Sequence, residues 1–322
     1  LNGHYVSKSA KARIAEVILE LGYSPSANAR NLSLGRKGCV GLAVDSSLYL
    51  WFTQILAGIE EELSRRDTSL MLASLELEGR YDPRIVHDWI RQRRIDGLII
   101  ANSQRRERPL FQAAIEAQLP TVLLSPDETA AHVHVVRSDN RGGGVAVAHH
   151  LANLGHKKVA FAGGPVHSVD SKHRLNGLRD GLEERGLHLD QKNVAFCEGY
   201  TPEAGAAYAA HFLRKPLDVT AIVFGNDGLA LGFMRVALQR GLRIPQDLSV
   251  VGFDNVPEGA FVWPGLTTVA QPLREMGRNA CRRLFEAIES PSGQQVVVFP
   301  LELVIRESTA APPVAQAGIL SA

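Results

Sequence analysis

"SDNRGGGVAVAHHLANLGHKKVAFAGGP", running from Ser138 to Pro165, decides the fold. Its glycines stand before a helical pattern, Asn140–Leu154, in a spacing that is not GxGxxG and that suits a tight helix start. "LGHKKVAF" then stops the helix and opens a short, almost continuously apolar run. Runs of that kind suit parallel strands covered on both faces. The pattern repeats outward in both directions. "CVGLAV", "LMLAS", "DGLIIA", "TVLL", "KVAFAG", "VAFC", "AIVF" and "LSVVGF" alternate with helical stretches at Phe52–Arg66, Arg84–Arg94, Asn140–Leu154, Ser171–Arg185, Glu203–Leu213 and Leu229–Arg240. Strand–helix alternation at this pitch predicts an α/β fold with doubly wound parallel sheets. So many strands with short connections overfill one lobe, and 322 residues exceed the usual single core. Two sheets of similar size are expected, divided near Gly155–Lys158.

Composition is that of a globular chain, 45% hydrophobic and 21% charged. No apolar run approaches the ~18–20 residues of a membrane span, and no signal peptide heads the sequence. The three cysteines, Cys39, Cys197 and Cys281, are scattered without a CxxC pair, which favours buried, inert thiols and a cytoplasmic setting. The net charge of +1 hides an asymmetry. Residues 1–37 carry Lys8, Lys11, Arg13, Arg30, Arg36 and Lys37 against Glu16 and Glu20, a head of +4 on a body of −3. A basic head points to a polyanion partner or to a solvated basic linker.

Within the head, "VSKSAKARIAEVILELGYSP" carries a capping serine (Ser7 or Ser9) and an apolar face of Ile14, Val17, Ile18 and Leu21. Gly22 and Pro25 end the helix. One amphipathic helix cannot bury its own face, so companion helices are required. Ser26–Arg36, "SANARNLSLGR", reads as a second, Ser-capped helix with one leucine, Leu32, among small and basic residues. Isolated helices shorter than ~12–15 residues are marginal in water, so its folding is conditional.

Residues 1–44 resemble the head of a lactose-repressor (LacI) family transcription regulator, in the order of "LNG", "VS…AR", "ELGYSP" and "ARNL". The resemblance implies that Lys8–Leu21 is the third helix of a helix-turn-helix unit whose first two helices lie outside the sequence. It implies that Ser26–Leu34 is the hinge helix, which folds when two copies meet in the DNA minor groove. Ser26, Ala29, Arg30 and Leu32 are then the DNA-binding residues: Leu32 wedges between base steps, and the charged flank meets phosphates. Ser26 stands where the family commonly has Asn, and either residue caps a helix.

"SDNRGGGVAVAHHLANLGHKKVAFAGGP", "FGNDGLALGFMRVAL", "LSVVGFDN" and "PGLTTVAQPLREMGRNACRRL" resemble further landmarks of the family, in its order. They imply two lobes of the periplasmic-binding-protein type I fold, crossed three times by the chain. The expected divisions are 1–25 for the helix-turn-helix remnant and 26–37 for the hinge. The first lobe takes 38–156 with 271–290, the second 157–270 with 291–308, and 309–322 forms a disordered tail.

In open α/β sheets, ligands sit beyond the carboxyl ends of strands. That rule selects Asp45–Phe52, Asn102, Ser103, Asp170, Arg174, Tyr200, Asn226, Asp227, Asp254 and Asn255. Aromatic faces stack on sugar C–H faces or bases, while Arg and carboxylates fix hydroxyls. The resemblance implies effector contacts at Trp51, Phe52, Arg174, Tyr200, Asn226, Asp254 and Gln271, with Asp170 beside them. Other readings stand alongside: Asn226 or Asp227 as a helix cap, Trp51 and Phe52 as core, Arg174 paired with Asp170 at the surface. Leu48, Tyr49 and Leu50 replace residues that are usually polar or proline, and Ser125 replaces a frequent acid, so the first-lobe wall is expected to suit a less polar or bulkier effector end.

No P-loop, GxSxG or HExxH occurs; His132, His134, His149 and His150 lack metal-ligand company, and no cofactor, metal or catalytic set is expected. "AAPPVAQAGILSA" has no leucine heptads, so a homodimer is expected rather than a coil-tethered tetramer. The expected function is a ligand-responsive transcription regulator, a repressor on operator DNA. The competing classes are a sugar-binding transport protein, which would not need residues 1–37, and an enzyme, for which no catalytic set is present. Without a recognition helix, this sequence is expected to bind DNA weakly and mainly through charge.

Overall fold

The computed structural model describes residues 7–20, 36–44, 50–77, 80–101, 108–126, 133–290 and 293–313. The head helix α1 spans Lys8–Glu20, and the Ser7 hydroxyl accepts the Ala10 amide N–H at 3.2 Å as its cap. Val17 on its apolar face is 40% exposed. Ser26, Ala29, Arg30 and Leu32 lie outside the described residues.

Two six-stranded sheets follow. The first has the order β2 (Ser69–Ser74), β1 (Cys39–Val44), β5 (Gly97–Ala101), β6 (Thr121–Leu124), β7 (His134–Ser138) and β13 (Val296–Phe299), all parallel. The second has the order β9 (Val194–Phe196), β8 (Val159–Gly163), β10 (Ala221–Phe224), β11 (Ser249–Asp254), β12 (Thr267–Ala270) and β14 (Glu302–Val304). Only β14 is antiparallel there. A two-stranded hairpin, β3 (Glu76–Leu77) and β4 (Arg80–Tyr81), completes the strands. The central strands β5, β6, β8, β10 and β11 are buried along their whole length, as near-continuous apolar runs between two helix layers must be. In each sheet the second-born strand lies outside the first. The order therefore reverses between β1 and β5 and between β8 and β10, and those two crevices are the switch points where ligands collect.

The helices are α2 (Phe52–Ser64), α3 (Arg84–Arg91), α4 (Arg108–Glu116), α5 (Asn140–Asn153), α6 (Val169–Glu183), α7 (Pro202–Phe212), α8 (Asp227–Gln239), α9 (Glu258–Phe261) and α10 (Leu273–Glu289). Three pairs pack backbone to backbone through reciprocal glycines. A Cβ on Gly58 of α2 would lie 2.0 Å from the Arg274 carbonyl oxygen, and one on Gly277 of α10 would lie 2.2 Å from that of Ile55. Gly144 and Gly177 do the same for α5 and α6, and Gly205 and Gly232 for α7 and α8.

The division between lobes departs from the expected one in three places. Helix α5 packs on α6 of the second lobe, and Gly143 rests against Phe253 and Val269, so the first crossing falls at Ser138–Asn140 rather than near residue 156. Strand β13 pairs with β7, so 296–299 belongs to the first sheet and the third crossing falls between Phe299 and Glu302. The second crossing, Ala270–Leu273, lies where it was expected. Thr309–Pro313, expected in a disordered tail, holds to the second lobe: His150 Nε2 bonds Thr309 Oγ1 at 3.0 Å, and His156 Nε2 donates to the Ala310 carbonyl at 2.9 Å. Residues 314–322 lie outside the described residues. The Cys39, Cys197 and Cys281 thiols are free, and burial raises the last two to about 11 and about 12, keeping them unreactive.

Candidate functional site

A cleft of about 440 Å³ opens between the lobes at the β8–β10 switch point. Trp51, Ile55, Ser125, Leu273 and Met276 line its first-lobe side. Asp170, Arg174, Tyr200, Asn226 and Asp254 line the second-lobe side, with Gln271 at the crossing. Seven of the eight residues predicted for the ligand thus meet in one cavity. Phe52 does not. It begins α2, is 3% exposed and sits in the first-lobe core, while Trp51 faces the cleft with its ring edge-on to Phe52. Successive helix positions point about 100° apart, so one of two adjacent aromatics faces the core when the other faces the cleft. Asp45–Ser47, Leu48, Tyr49, Asn102 and Ser103 lie outside the described residues.

Arg174 organises the second-lobe wall. It is buried, and its Nε donates to Asn140 Oδ1 at 2.8 Å while Nη1 donates to the Gly225 carbonyl. The guanidinium lies 3.8 Å over the Phe253 ring and 3.6 Å from Asp254 Oδ1. Its ion-pair partner is Asp254, not Asp170. Asp170 accepts from Asn140 Nδ2 at 2.7 Å, so Asn140 joins the arginine to the second carboxylate. Asp254 ends β11 with φ 118°, and Asn255 follows with φ 58°. Left-handed backbone at such residues costs ~1–3 kcal/mol and persists where surrounding structure holds it. Two contacts hold it here. Arg306 Nη2 donates to Asn255 Oδ1 at 2.6 Å, and the Val256 amide N–H donates to Asp227 Oδ2 at 2.8 Å. Asn255 and Asp227 therefore support the site and do not line the cleft.

The carboxylates are electrostatically poised. Burial raises Asp254 well above the ordinary range; the attraction of Arg174 and the Gln271 hydrogen bond at 2.6 Å restrain the rise. Burial, then the like charge of Asp254, raises Asp227, whose Oδ1 also accepts the Thr268 hydroxyl at 2.5 Å. Burial likewise raises Asp170. One buried guanidinium beside two lining acids, Asp170 and Asp254, leaves the wall rich in acceptors for hydroxyl donors.

Tyr200 closes one side. Its ring covers Gly164, where a Cβ would lie 2.3 Å from it, and its hydroxyl bonds Ser168 Oγ at 2.6 Å and Ser171 Oγ at 2.8 Å. Asn226 does both things left open for it: Oδ1 caps α8 by accepting the Leu229 N–H at 2.9 Å, and the residue lines the cleft. Its Nδ2 donates to the Tyr200 carbonyl at 3.0 Å. Across the crossing, Ser138 Oγ donates to Gln271 Oε1 at 2.5 Å, tying the end of β7 to the residue that holds Asp254. Ser138, Asn140, Leu273 and Met276 escaped the sequence reading. The signals available were a polar pair beside the glycine-led helix start and the apolar positions opening the helix after Pro272.

Residues 148–309 match the family model of a periplasmic binding protein-like domain. The transcriptional regulator DegA of Bacillus subtilis is 30% identical over 311 residues, covering 94% of this chain and 90% of that protein. The chain belongs to the LacI family of transcriptional regulators. The transcriptional repressor PurR of Pasteurella multocida is 29% identical, with 94% of this chain and 91% of that protein covered. The solved complex of the transcriptional regulator CelR with cellobiose superposes with a TM-score of 0.78 at 28% identity, over 95% of this chain and 92% of that one. These family members are named regulators and repressors, not enzymes. Among the described residues no helix is long and apolar enough to cross a membrane.

Proposed function

We propose that this LacI-family chain is a cytoplasmic repressor that binds operator DNA as a homodimer and takes a small effector, a sugar or sugar derivative, in the interlobe cleft. The observation that carries the effector assignment is the buried chain Ser138–Gln271–Asp254–Arg174–Asn140–Asp170 facing Trp51 across the cleft. Polar groups fixed on one wall and an aromatic face on the other are what a polyhydroxy ring needs. Trp51, Ile55, Leu273 and Met276 make the first-lobe wall mostly apolar, which supports an effector with one less polar or bulkier end. The dimer reading is supported by Phe261 and Trp263, which are 88% and 80% exposed on the second lobe; aromatic surface of this kind marks an interaction face.

In this reading, effector binding changes the angle between lobes. That sets the separation of the paired hinge helices, where Ser26, Ala29, Arg30 and Leu32 would enter the minor groove. It is a two-state element biased by differential affinity. The test is a thermal-shift panel of mono- and disaccharides, cellobiose included, with sugar acids, polyols and nucleobases, against the wild type and Trp51→Ala. At 100 times its Kd a ligand stabilises by ~2.7 kcal/mol, a shift of several degrees. A shift that Trp51→Ala weakens supports the cleft. A ligand whose shift is identical in both proteins refutes it.

A further inference from the structure

A second cavity, of about 900 Å³, lies beside the lobe crossings against the α5–α6 face. It draws on both lobes: Pro126, Arg137 and Val298 from the first, Arg141, His173 and Asn176 from the second. Arg137 stands on β7, one residue before Ser138, and its side chain is half-buried. Among the described residues it makes no ion pair or side-chain hydrogen bond, which is unusual for a partly desolvated guanidinium with five donors. The carboxylates nearby are already engaged. Asp139 Oδ1 accepts the Gly142 N–H at 2.9 Å, and Asp170 accepts from Asn140. Arg141 pairs with Asp180 through Nε alone. Among the described residues, the cavity thus presents one guanidinium outside any ion pair, an imidazole and an amide, with Ser138, Asn140 and the hydrogen-bonded carboxylates of Asp139 and Asp170 also at its wall.

We propose that this cavity is a second ligand site, separate from the cleft, for a small polyhydroxy anion: a sugar carrying a phosphate or carboxylate. Arg137 takes the anionic group by its two-pronged donor face, and His173, Asn176 and Asn140 take the hydroxyls. The site is coupled to the cleft by construction. Asp170 lines both cavities, and Asn140 bonds Asp170 on one side and Arg174 on the other. An occupant that draws on Asn140 therefore alters the setting of Arg174, and the linkage is reciprocal.

Isothermal titration with glucose 6-phosphate, gluconate and inorganic phosphate tests this on the wild type, Arg137→Gln and Trp51→Ala. The expected result is binding of a sugar phosphate or sugar acid that Arg137→Gln weakens at least tenfold and Trp51→Ala leaves within twofold. An unliganded melting temperature for Arg137→Gln within a degree or two of wild type shows that the loss is local. Equal affinity for inorganic phosphate overturns the polyhydroxy part of the assignment. Binding lost in Trp51→Ala places the ligand in the cleft and overturns the second site while leaving the effector reading intact. Absence of binding by all three probes at 10 times millimolar concentrations overturns it as well.

Discussion

Replacing Arg174 by Ala should destabilise the unliganded protein severely, for reasons that have nothing to do with ligand. The side chain is 7% exposed and supplies the counter-charge for Asp254, which is 4% exposed. Removing one partner of a buried pair strands the other at a cost of ~3–5 kcal/mol. The Asn140 amide oxygen and the Gly225 carbonyl also lose their donor, and the face of Phe253 loses its cover. For a protein of this size each kcal/mol is worth ~2–4 °C, so a fall in Tm of about 10 °C is expected at pH 8. Arg174→Ala combined with Asp254→Asn removes the stranded charge as well. Because Arg174 offsets part of the cost of the Asp254 charge, Asp254→Asn should gain at least ~2 kcal/mol more in the Arg174→Ala background than in the wild type, a coupling energy read from urea unfolding of all four proteins. Simple additivity of the two substitutions would refute the claim that this pair organises the wall.

Alone, Asp254→Asn should stabilise. A carboxyl raised to about 6 contributes stability that is present below its unfolded value near 4 and is lost as pH rises through about 6. With Arg174, Asp170 and Asp227 as its charged neighbours, the neutral amide should gain up to ~3 kcal/mol at pH 8 and about half of that at pH 5, read as melting temperatures. Gly277→Val places a side chain 2.2 Å from the Ile55 carbonyl and should unfold or precipitate the first lobe, whereas Gly293→Ala, with nothing within 4 Å, should melt within ~1 °C of wild type. His156 is held neutral by burial, bonding Thr220 at 2.8 Å and the Ala310 carbonyl. Its contribution is present above its ordinary value and is lost as pH falls. His156→Ala should therefore cost ~1–3 kcal/mol at pH 8, and less at pH 5, in urea unfolding.

The strands were legible because central parallel strands have no polar face to hide: "GLIIA", "VAFAG" and "AIVF" are each apolar and buried throughout. Edge strands were not. Val296–Phe299 alternates between exposed and half-buried positions, and the family's three crossings, counted along the chain, assigned it to the second lobe. The same bias toward sequence neighbours kept α5 with the strand before it, although Gly144 requires the approach of Arg174's backbone from α6. Trp51, Arg174, Tyr200, Asn226 and Asp254 were legible because strand-end position and family position agree on them, whereas Asp170 rests on the strand-end rule alone and Gln271 on family position alone. Phe52 failed because two adjacent aromatics carry no sign of which one turns inward. Ser138 and Asn140 were missed because a buried polar group shows its partners only in three dimensions: their bonds span 133 and 30 residues of sequence.

The reciprocal glycines bear on how such a molecule can transmit force. Where backbone meets backbone there is no pliant layer of side chains between the helices to shear, so a helix pair travels as one beam. Each lobe carries at least one such beam, α2–α10 in the first and both α5–α6 and α7–α8 in the second. The α5–α6 and α2–α10 beams start at crossings, since α5 opens directly after Ser138 and α10 directly after Gln271–Pro272. A displacement of tenths of an ångström at Asn140 or Leu273 is thus applied at the fulcrum end of a rod. The far ends, Asn153 and Glu289, close helices of 14 and 17 residues, which at ~1.5 Å per residue is a lever arm of roughly 20 to 25 Å.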